Sequence, residues 1–262
     1  MGLLLTTVEG LEEVTLAEAE RRGLKPGGVI RPSLLLVEGA AEEALKLKTV
    51  DSVSELLCSF ESGDLGLRAL RHALRECFRG ISREGCSGRV RVRAWARIPG
   101  VSRRALELVA ARELSRVLRV GTSPEAGPTV RIYLCSGGRI LVAKQLNDEP
   151  LHLRQYYVFK HPHTLNPLIA AALPLLAPAG SLHDPCCGSG TIPIEYLLAR
   201  PETLAVCSDV NSEYARRALE NSRRAGTDVE VLVADLFHSP LAREVELVAA
   251  NPPRRQRCSY VH

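Results

Sequence analysis

Asp184-Pro185-Cys186-Cys187-Gly188-Ser189-Gly190-Thr191 is the stretch on which the fold turns. An apolar run, Gly180–His183, leads into it and a helical run, Ile192–Ala199, leads out. Its glycines therefore stand where a strand must turn into a helix. A Gly-x-Gly turn alone says little, because such glycines can merely relieve crowding. Three later features give it weight. Leu204–Ser208 ends in Asp209, 25 residues after Asp184; Val229–Val233 is followed by Asp235; and Val245–Ala250 runs into Asn251-Pro252-Pro253. Between the first two, Glu213–Ala225 places Ala215, Ala218, Leu219 and Ser222 on one helical side. This alternation predicts the front half of a doubly wound α/β domain. Its polar residues fall at strand carboxyl ends, the rim where open parallel sheets bind ligands.

Upstream the rhythm changes. Arg89–Ile98 alternates strictly, with Val90, Val92, Ala94, Ala96 and Ile98 on one face and Arg89, Arg91, Arg93, Trp95 and Arg97 on the other. A helix over 102–118 follows, with Leu106, Val109, Leu114 and Val117 at helical spacing and Arg103, Arg104, Arg112, Arg116 and Arg119 opposite. Val130–Leu134, the turn Gly137-Gly138 and Arg139–Ala143 predict a hairpin, and Gln145–Lys160 reads as a linker. Residues 1–60 predict a small module of strand Leu3–Val8, helix Leu11–Arg22, strand Ser33–Glu38 and helix Ala41–Leu47.

The 262 residues carry a net charge of +4, distributed unevenly. Residues 1–60 hold 6 basic and 10 acidic residues, 61–150 hold 17 and 9, and 151–262 hold 11 of each. Of the 34 basic residues 29 are arginine, which forks onto phosphate and stacks on bases, so the middle segment points to nucleic acid. A solvated arginine face is the plainer alternative. The eight cysteines are spread along the chain with no basic, apolar leader ahead of them, and are expected to be reduced, intracellular thiols of a cytoplasmic protein. Apolar stretches such as Ile169–Ala179 fall short of the roughly 20 residues of a membrane span. No metal site is expected: there is no Cys-x-x-Cys, Cys186 and Cys187 cannot both face one ion, and His161-x-His163 reads as surface.

In their order, Asp-Pro-Cys-Cys-Gly-Ser-Gly-Thr, Ser-Asp-Val-Asn, Ala-Asp-Leu-Phe and Asn-Pro-Pro resemble the motifs of amino-directed S-adenosylmethionine-dependent methyltransferases. Residues 61–150 resemble the RNA-binding THUMP domain, and 1–60 the ferredoxin-like part that precedes it. The chain as a whole is similar to the archaeal-type THUMP tRNA guanine-N2 methyltransferases. That resemblance implies an α/β architecture of ferredoxin-like region (1–60), THUMP-like domain (61–150) and Rossmann-like methyltransferase domain (151–262). It implies S-adenosylmethionine as cofactor and tRNA as partner. Asp184, Cys186, Gly188, Ser189, Gly190 and Thr191 would form the loop on the methionine side, Asp209 would hold the ribose, and Asp235 with Leu236 would face the adenine. Thr164 and Leu165, within His163–Pro167, would lie near the cofactor carboxylate. Arg89, Arg91, Arg93, Trp95, Arg97, Arg103, Arg104 and Arg254 would meet RNA.

Asn251, Pro252 and Pro253 would carry the chemistry. An exocyclic base amine is a poor nucleophile because its lone pair is delocalised into the ring. The Asn251 amide oxygen and the Pro252 carbonyl would hold its N–H groups and aim the lone pair at the methyl group, a gain from orientation and electrostatics. Two departures stand out. Arg254 replaces the usual aromatic residue after Pro-Pro, and only nine residues follow Pro253, where a whole domain of this type would add a helix and about three strands. The target-base pocket is then expected to lack a wall. Three alternatives stay open: a non-catalytic RNA-binding protein, an adenine-N6 enzyme and an enzyme of ribosomal RNA. A dinucleotide site is disfavoured, since its third glycine would fall at Pro193, tolerable in a first helical turn.

Overall fold

The computed structural model describes residues 1–61, 67–80, 89–95, 101–125, 127–238 and 241–252. It divides into two compact units, residues 1–151 and 152–262.

The first unit is built from β1 (Gly2–Thr6), α1 (Glu12–Arg21), β2 (Lys25–Arg31), β3 (Leu34–Glu38), α2 (Ala41–Ala44), β4 (Ser52–Glu61), α3 (Leu67–Arg79), β5 (Arg89–Trp95), α4 (Arg103–Leu118), β6 (Gly121–Thr122), β7 (Thr129–Leu134) and β8 (Arg139–Gln145). Its eight strands form one sheet in the order β2-β3-β1-β4-β8-β7-β5-β6, antiparallel as far as β7 and parallel from β7 to β6. The ten-residue β4 makes the sheet continuous: Ser52–Glu55 pair with β1, and Ser54–Glu61 pair with β8. Among the described residues three cores lie along the sheet, one of them, Leu4, Leu34, Tyr133, Cys135, Leu141 and Ala143, on the face opposite the other two. Leu3, Leu5, Leu35, Val37 and Val53 pack with Ala19 of α1 and Ala44 of α2. Val90, Val92, Ala94, Ile132 and Val142 pack with Leu70 and Leu74 of α3 and Leu106 and Leu114 of α4. The expected alternation of β5 is thus the observed one, and the hairpin stands at β7–β8; Ala96, Arg97 and Ile98 lie outside the described residues.

In the first unit the structure adds β2, β4, α3 and the short β6 to the elements expected. β2 is an edge strand, where its proline is tolerated, and its pairing with β3 shifts register between Pro26 and Gly28 and again between Val29 and Arg31. The predicted helix over 41–47 is a single turn, Ala41–Ala44. A second correction concerns the thiols: Cys58 of β4 and Cys77 of α3 are joined as a disulfide, while Cys135, Cys186, Cys187 and Cys207 are free. Glu113 of α4 is wholly buried beneath Arg71 and Arg75, with Arg116 beside it. Burial pushes its carboxyl up, and the Arg75 and Arg71 guanidiniums outweigh that, holding it below the usual carboxylate range.

The second unit contains α5 (Pro167–Leu176), β9 (Ser181–Asp184), α6 (Thr191–Ala199), β10 (Leu204–Asp209), α7 (Ser212–Ala225), β11 (Glu230–Val233) and β12 (Leu247–Val248). The strands are parallel in the order β11-β10-β9-β12, the crossing order of a doubly wound sheet on either side of its first strand. Pro193 sits in the first turn of α6. The expected linker over 145–160 is corrected on two counts. Its first residue ends β8, and from His152 onward the chain belongs to the second unit. Arg154 there makes a two-pronged ion pair with Glu195 of α6 (2.8 and 3.2 Å), and the Tyr156 hydroxyl donates to the same carboxylate (2.9 Å). Both ion-pair side chains are buried, 10% and 1% exposed. Among the described residues no helix is long and apolar enough to cross a membrane.

Candidate active site

The carboxyl ends of β9, β10 and β11, the segment after β12 and the turn before α5 surround one cavity of about 720 Å³. That is within the range of small-molecule sites. The loop from β9 to α6 forms its floor. Gly188 and Gly190 have φ of 52° and 73°, conformations that a side chain would strain. A Cβ on Gly190 would also come within 3.2 Å of Ala218 Cβ, so glycine there lets the loop approach α7. Asp209 closes the loop from the neighbouring strand. Its Oδ2 accepts from Gly188 N–H (2.9 Å) and its Oδ1 from Asn211 N–H (2.9 Å). Each oxygen keeps a further lone pair, the requirement for binding the hydroxyls of a diol.

Asp184 is 1% exposed and is pushed up to about 7 by burial; the Cys186 N–H opposes the shift and the neighbouring Asp209 adds to it. An acid lining a cavity with a raised pKa is held ready for a cationic ligand. Burial, with Asp184 and Asp209 nearby, also pushes the Cys186 thiol up, and a hydrogen bond to buried Cys207 raises Cys187 well above the usual thiol range. Neither thiol is therefore a ready nucleophile. At the other end Asp235 is exposed, its Oδ1 accepting from Phe237 N–H (3.0 Å), and the Phe237 ring beside it is 87% exposed.

Of the residues expected to hold the cofactor, the cavity is lined by Thr164, Leu165, Asp184, Cys186, Gly188, Ser189, Thr191, Asp209, Asp235 and Leu236, with Gly190 behind the loop against Ala218. Asn251 and Pro252 line the same cavity; Pro253 and Arg254 lie outside the described residues. A segment that sequence reasoning passes over completes the wall. Asn221 of α7, wholly buried, uses its whole amide: Oδ1 accepts from Val158 and Phe159 N–H, and Nδ2 donates to the Phe159 and Ser189 carbonyls. His161, expected at the surface, lines the cavity and meets the Tyr214 ring edge-on, with centroids 4.7 Å apart. The one available signal is an asparagine on the apolar side of an amphipathic helix, where burial requires a full set of partners.

The residues expected to meet RNA lie in the first unit. Arg89, Arg91, Arg93 and Trp95 are on β5, and Arg103 and Arg104 open α4. Trp95 stacks on Tyr133 (centroids 5.6 Å), while Arg131 and Arg103 approach the indole at 4.7 and 5.5 Å. Not every guanidinium is at liberty. Arg93 donates to Pro124 O (3.1 Å), Arg91 to Glu125 O, and Arg131 to Gln145 Oε1 (2.9 Å) and Ser52 Oγ (2.7 Å).

Comparison with known proteins accords with this geometry. Residues 154–260 match the UPF0020 family model, described as an RMKL-like methyltransferase domain. A release factor glutamine methyltransferase of Neisseria gonorrhoeae is 28% identical over 128 residues, covering 43% of this chain and 47% of that protein. A tRNA (guanine(6)-N2)-methyltransferase of Archaeoglobus fulgidus is 38% identical over 72 residues, 26% of this chain and 18% of the other. The chain thus spans about half or less of the length of these curated relatives. The crystal structure of TrmN from Thermus thermophilus superposes with a TM-score of 0.82 at 25% identity, covering 96% of this chain and 79% of that one. Residues 154–260 therefore form a methyltransferase domain of the UPF0020, RMKL-like family, and its cofactor is S-adenosylmethionine.

Proposed function

We propose that this chain methylates an exocyclic base amine of tRNA, with guanine N2 the favoured acceptor. The observation that carries the reading is that Asn251 and Pro252 line the same cavity as the three rim carboxylates Asp184, Asp209 and Asp235. The bound cofactor supplies an electrophilic methyl group. The chain's own residues would do the rest: Asp209 would hold a ribose diol, Asp184 would answer positive charge, and Asp235 and Leu236 would face the purine. The Asn251 amide oxygen and the Pro252 carbonyl would accept the amine's N–H groups and turn its lone pair toward the methyl.

Residues 1–60 and 61–150 are proposed as the ferredoxin-like and THUMP-like parts of an RNA-binding unit. The exposed arginines of this unit, Arg89 and Arg104 among them, support RNA over a protein acceptor such as that named for the Neisseria relative, whereas Tyr133 is buried and packs with Trp95 inside the fold. The test is to incubate the protein with labelled S-adenosylmethionine and unmodified tRNA transcripts, digest the product and identify the nucleoside. N2-methylguanosine, reduced about a hundredfold by Asn251→Ala, is expected. Label on adenine N6, or on ribosomal RNA alone, would replace the acceptor. Binding of both ligands without transfer would favour the RNA-binding alternative.

A further inference from the structure

Asn251 is held from an unexpected direction. Its Nδ2 donates to the backbone carbonyl of His163 (2.9 Å). A carbonyl can only accept, so this contact fixes which end of the amide is nitrogen and leaves Oδ1 as the acceptor available to the cavity. His163 is itself held by a short closed network. The Ser189 hydroxyl of the cofactor loop accepts from His161 N–H (2.7 Å) and meets Thr164 Oγ1 at 2.8 Å. Thr164 Oγ1 donates to His161 O (2.6 Å), which also receives Thr164 N–H (3.0 Å). Since Thr164 has one hydroxyl proton and it points at His161 O, the Ser189 hydroxyl is the donor in the pair they share. His163 N–H in turn donates to His161 Nδ1 (3.1 Å).

Ser189 is 2% exposed, and its carbonyl is clamped by Asn221. The tight turn 161–164 therefore inherits its position from the cofactor loop and passes it to Asn251 through one carbonyl.

We infer that the His161–Thr164 turn is a positioning device for the methyl-transfer step, in which the Ser189 and Thr164 hydroxyls hold the His163 carbonyl so that Asn251 presents its oxygen to the acceptor amine. The inference rests on the proposed role of Asn251. It assigns Thr164 a task other than binding the cofactor carboxylate, because its hydroxyl proton is engaged within the turn. Thr164 is a positioning residue, acting through Asn251.

The test compares wild type, Thr164→Val, Thr164→Ser, Asn251→Ala and the Thr164→Val/Asn251→Ala double variant. Two readouts are used: single-turnover methyl transfer to unmodified tRNA, and the NMR signals of the Asn251 side-chain amide, identified by their loss in Asn251→Ala. Thr164→Val is expected to slow transfer about tenfold with S-adenosylmethionine affinity and tRNA KM changed less than about threefold. Thr164→Ser should restore the rate, and the double variant should be no slower than Asn251→Ala alone. In the amide spectrum one Nδ2 proton should be shifted downfield by its bond to the carbonyl in wild type and Thr164→Ser, and should lose that shift in Thr164→Val. Additive rate losses, a Thr164→Val defect confined to cofactor affinity, or amide signals unaffected by Thr164→Val would each overturn the inference. If the wild-type chain transfers no methyl group to tRNA, the proposed function fails, and the amide signals alone decide whether the turn positions Asn251.

Discussion

In the second unit Asp184, Asp209, Asp235 and Asn251 each stand at or within three residues of a strand's end, and parallel pairing gathers those ends at one rim. In the first unit Arg103, Arg131, Trp95 and Tyr133 reach one another from two strands and a helix N-terminus, and several neighbouring arginines are tied to the chain's own carbonyls. A parallel sheet thus converts short local motifs into a site. In the first unit the cluster depends on tertiary register instead, with β5 laid beside β7 so that Trp95 faces Tyr133, and the charge count there overstates the guanidiniums offered to a partner.

The largest effect expected from this contrast concerns two glutamates buried against arginine, Glu195 and Glu113. Glu195 is enclosed with its partner Arg154, so Glu195→Ala would leave a buried cation without its counterpart and should destabilise the second unit by about 3–5 kcal/mol in urea unfolding. Glu113→Ala releases arginines that are 39–62% exposed and can turn to water, so its loss should be smaller, about 1–2 kcal/mol. Equal losses would erase the distinction between the units.

Next comes RNA. Reversing Arg89 and Arg104, exposed residues of β5 and α4, should weaken tRNA binding at least about tenfold and flatten the slope of log affinity against log salt by about 0.9 for each phosphate no longer neutralised. Reversing Arg91 and Arg93, both bonded to the 124–125 carbonyls, should have a smaller effect on that slope. Unchanged affinity in both pairs would return this face to solvation.

The smallest effect is pH-dependent. Asp184 keeps its proton in the cofactor-free fold up to about pH 7, whereas an unfolded chain releases it near the ordinary aspartate value. The folded state therefore binds more protons between these limits. This contribution to stability is complete below the unfolded pKa and is lost as pH rises through about 7. Asp184→Asn should accordingly be more stable than wild type at pH 8 by on the order of 1–2 kcal/mol, with the advantage shrinking by pH 5. A thermal midpoint difference independent of pH would contradict the assignment. At pH 6.5 cationic cofactor binding to wild type should release protons, visible by calorimetry in two buffers.

What is legible in the sequence follows the same division. The order strand, glycine turn, helix and the acids at 209 and 235 are contiguous signals, and each lines the cavity where the doubly wound pattern puts it. The turn 158–164 gives no such signal, because its role lies in main-chain groups met by Asn221 and Ser189 from 28 to 63 residues away. The β4 strand is hidden for a related reason: its first residues pair with β1 and its later ones with β8, and neither pairing is local. The Cys58–Cys77 disulfide joins that strand to α3, where Leu70, Leu74, Cys77 and Phe78 recur at helical spacing, a legible signal that sequence reasoning passes over; cysteine spacing alone still cannot pair the two.

The cavity at the strand ends is proposed as the methyl-donor site. Calorimetric titration of S-adenosylmethionine into wild type and Asp209→Ala tests it most directly, since Asp209 is the carboxylate that closes the loop and keeps lone pairs for a ribose diol. One site per chain is expected, with an affinity lower by about 1–3 kcal/mol in Asp209→Ala and tRNA affinity unchanged. Equal cofactor affinity in the two proteins would show that the donor binds elsewhere and that the rim carboxylates serve the fold alone.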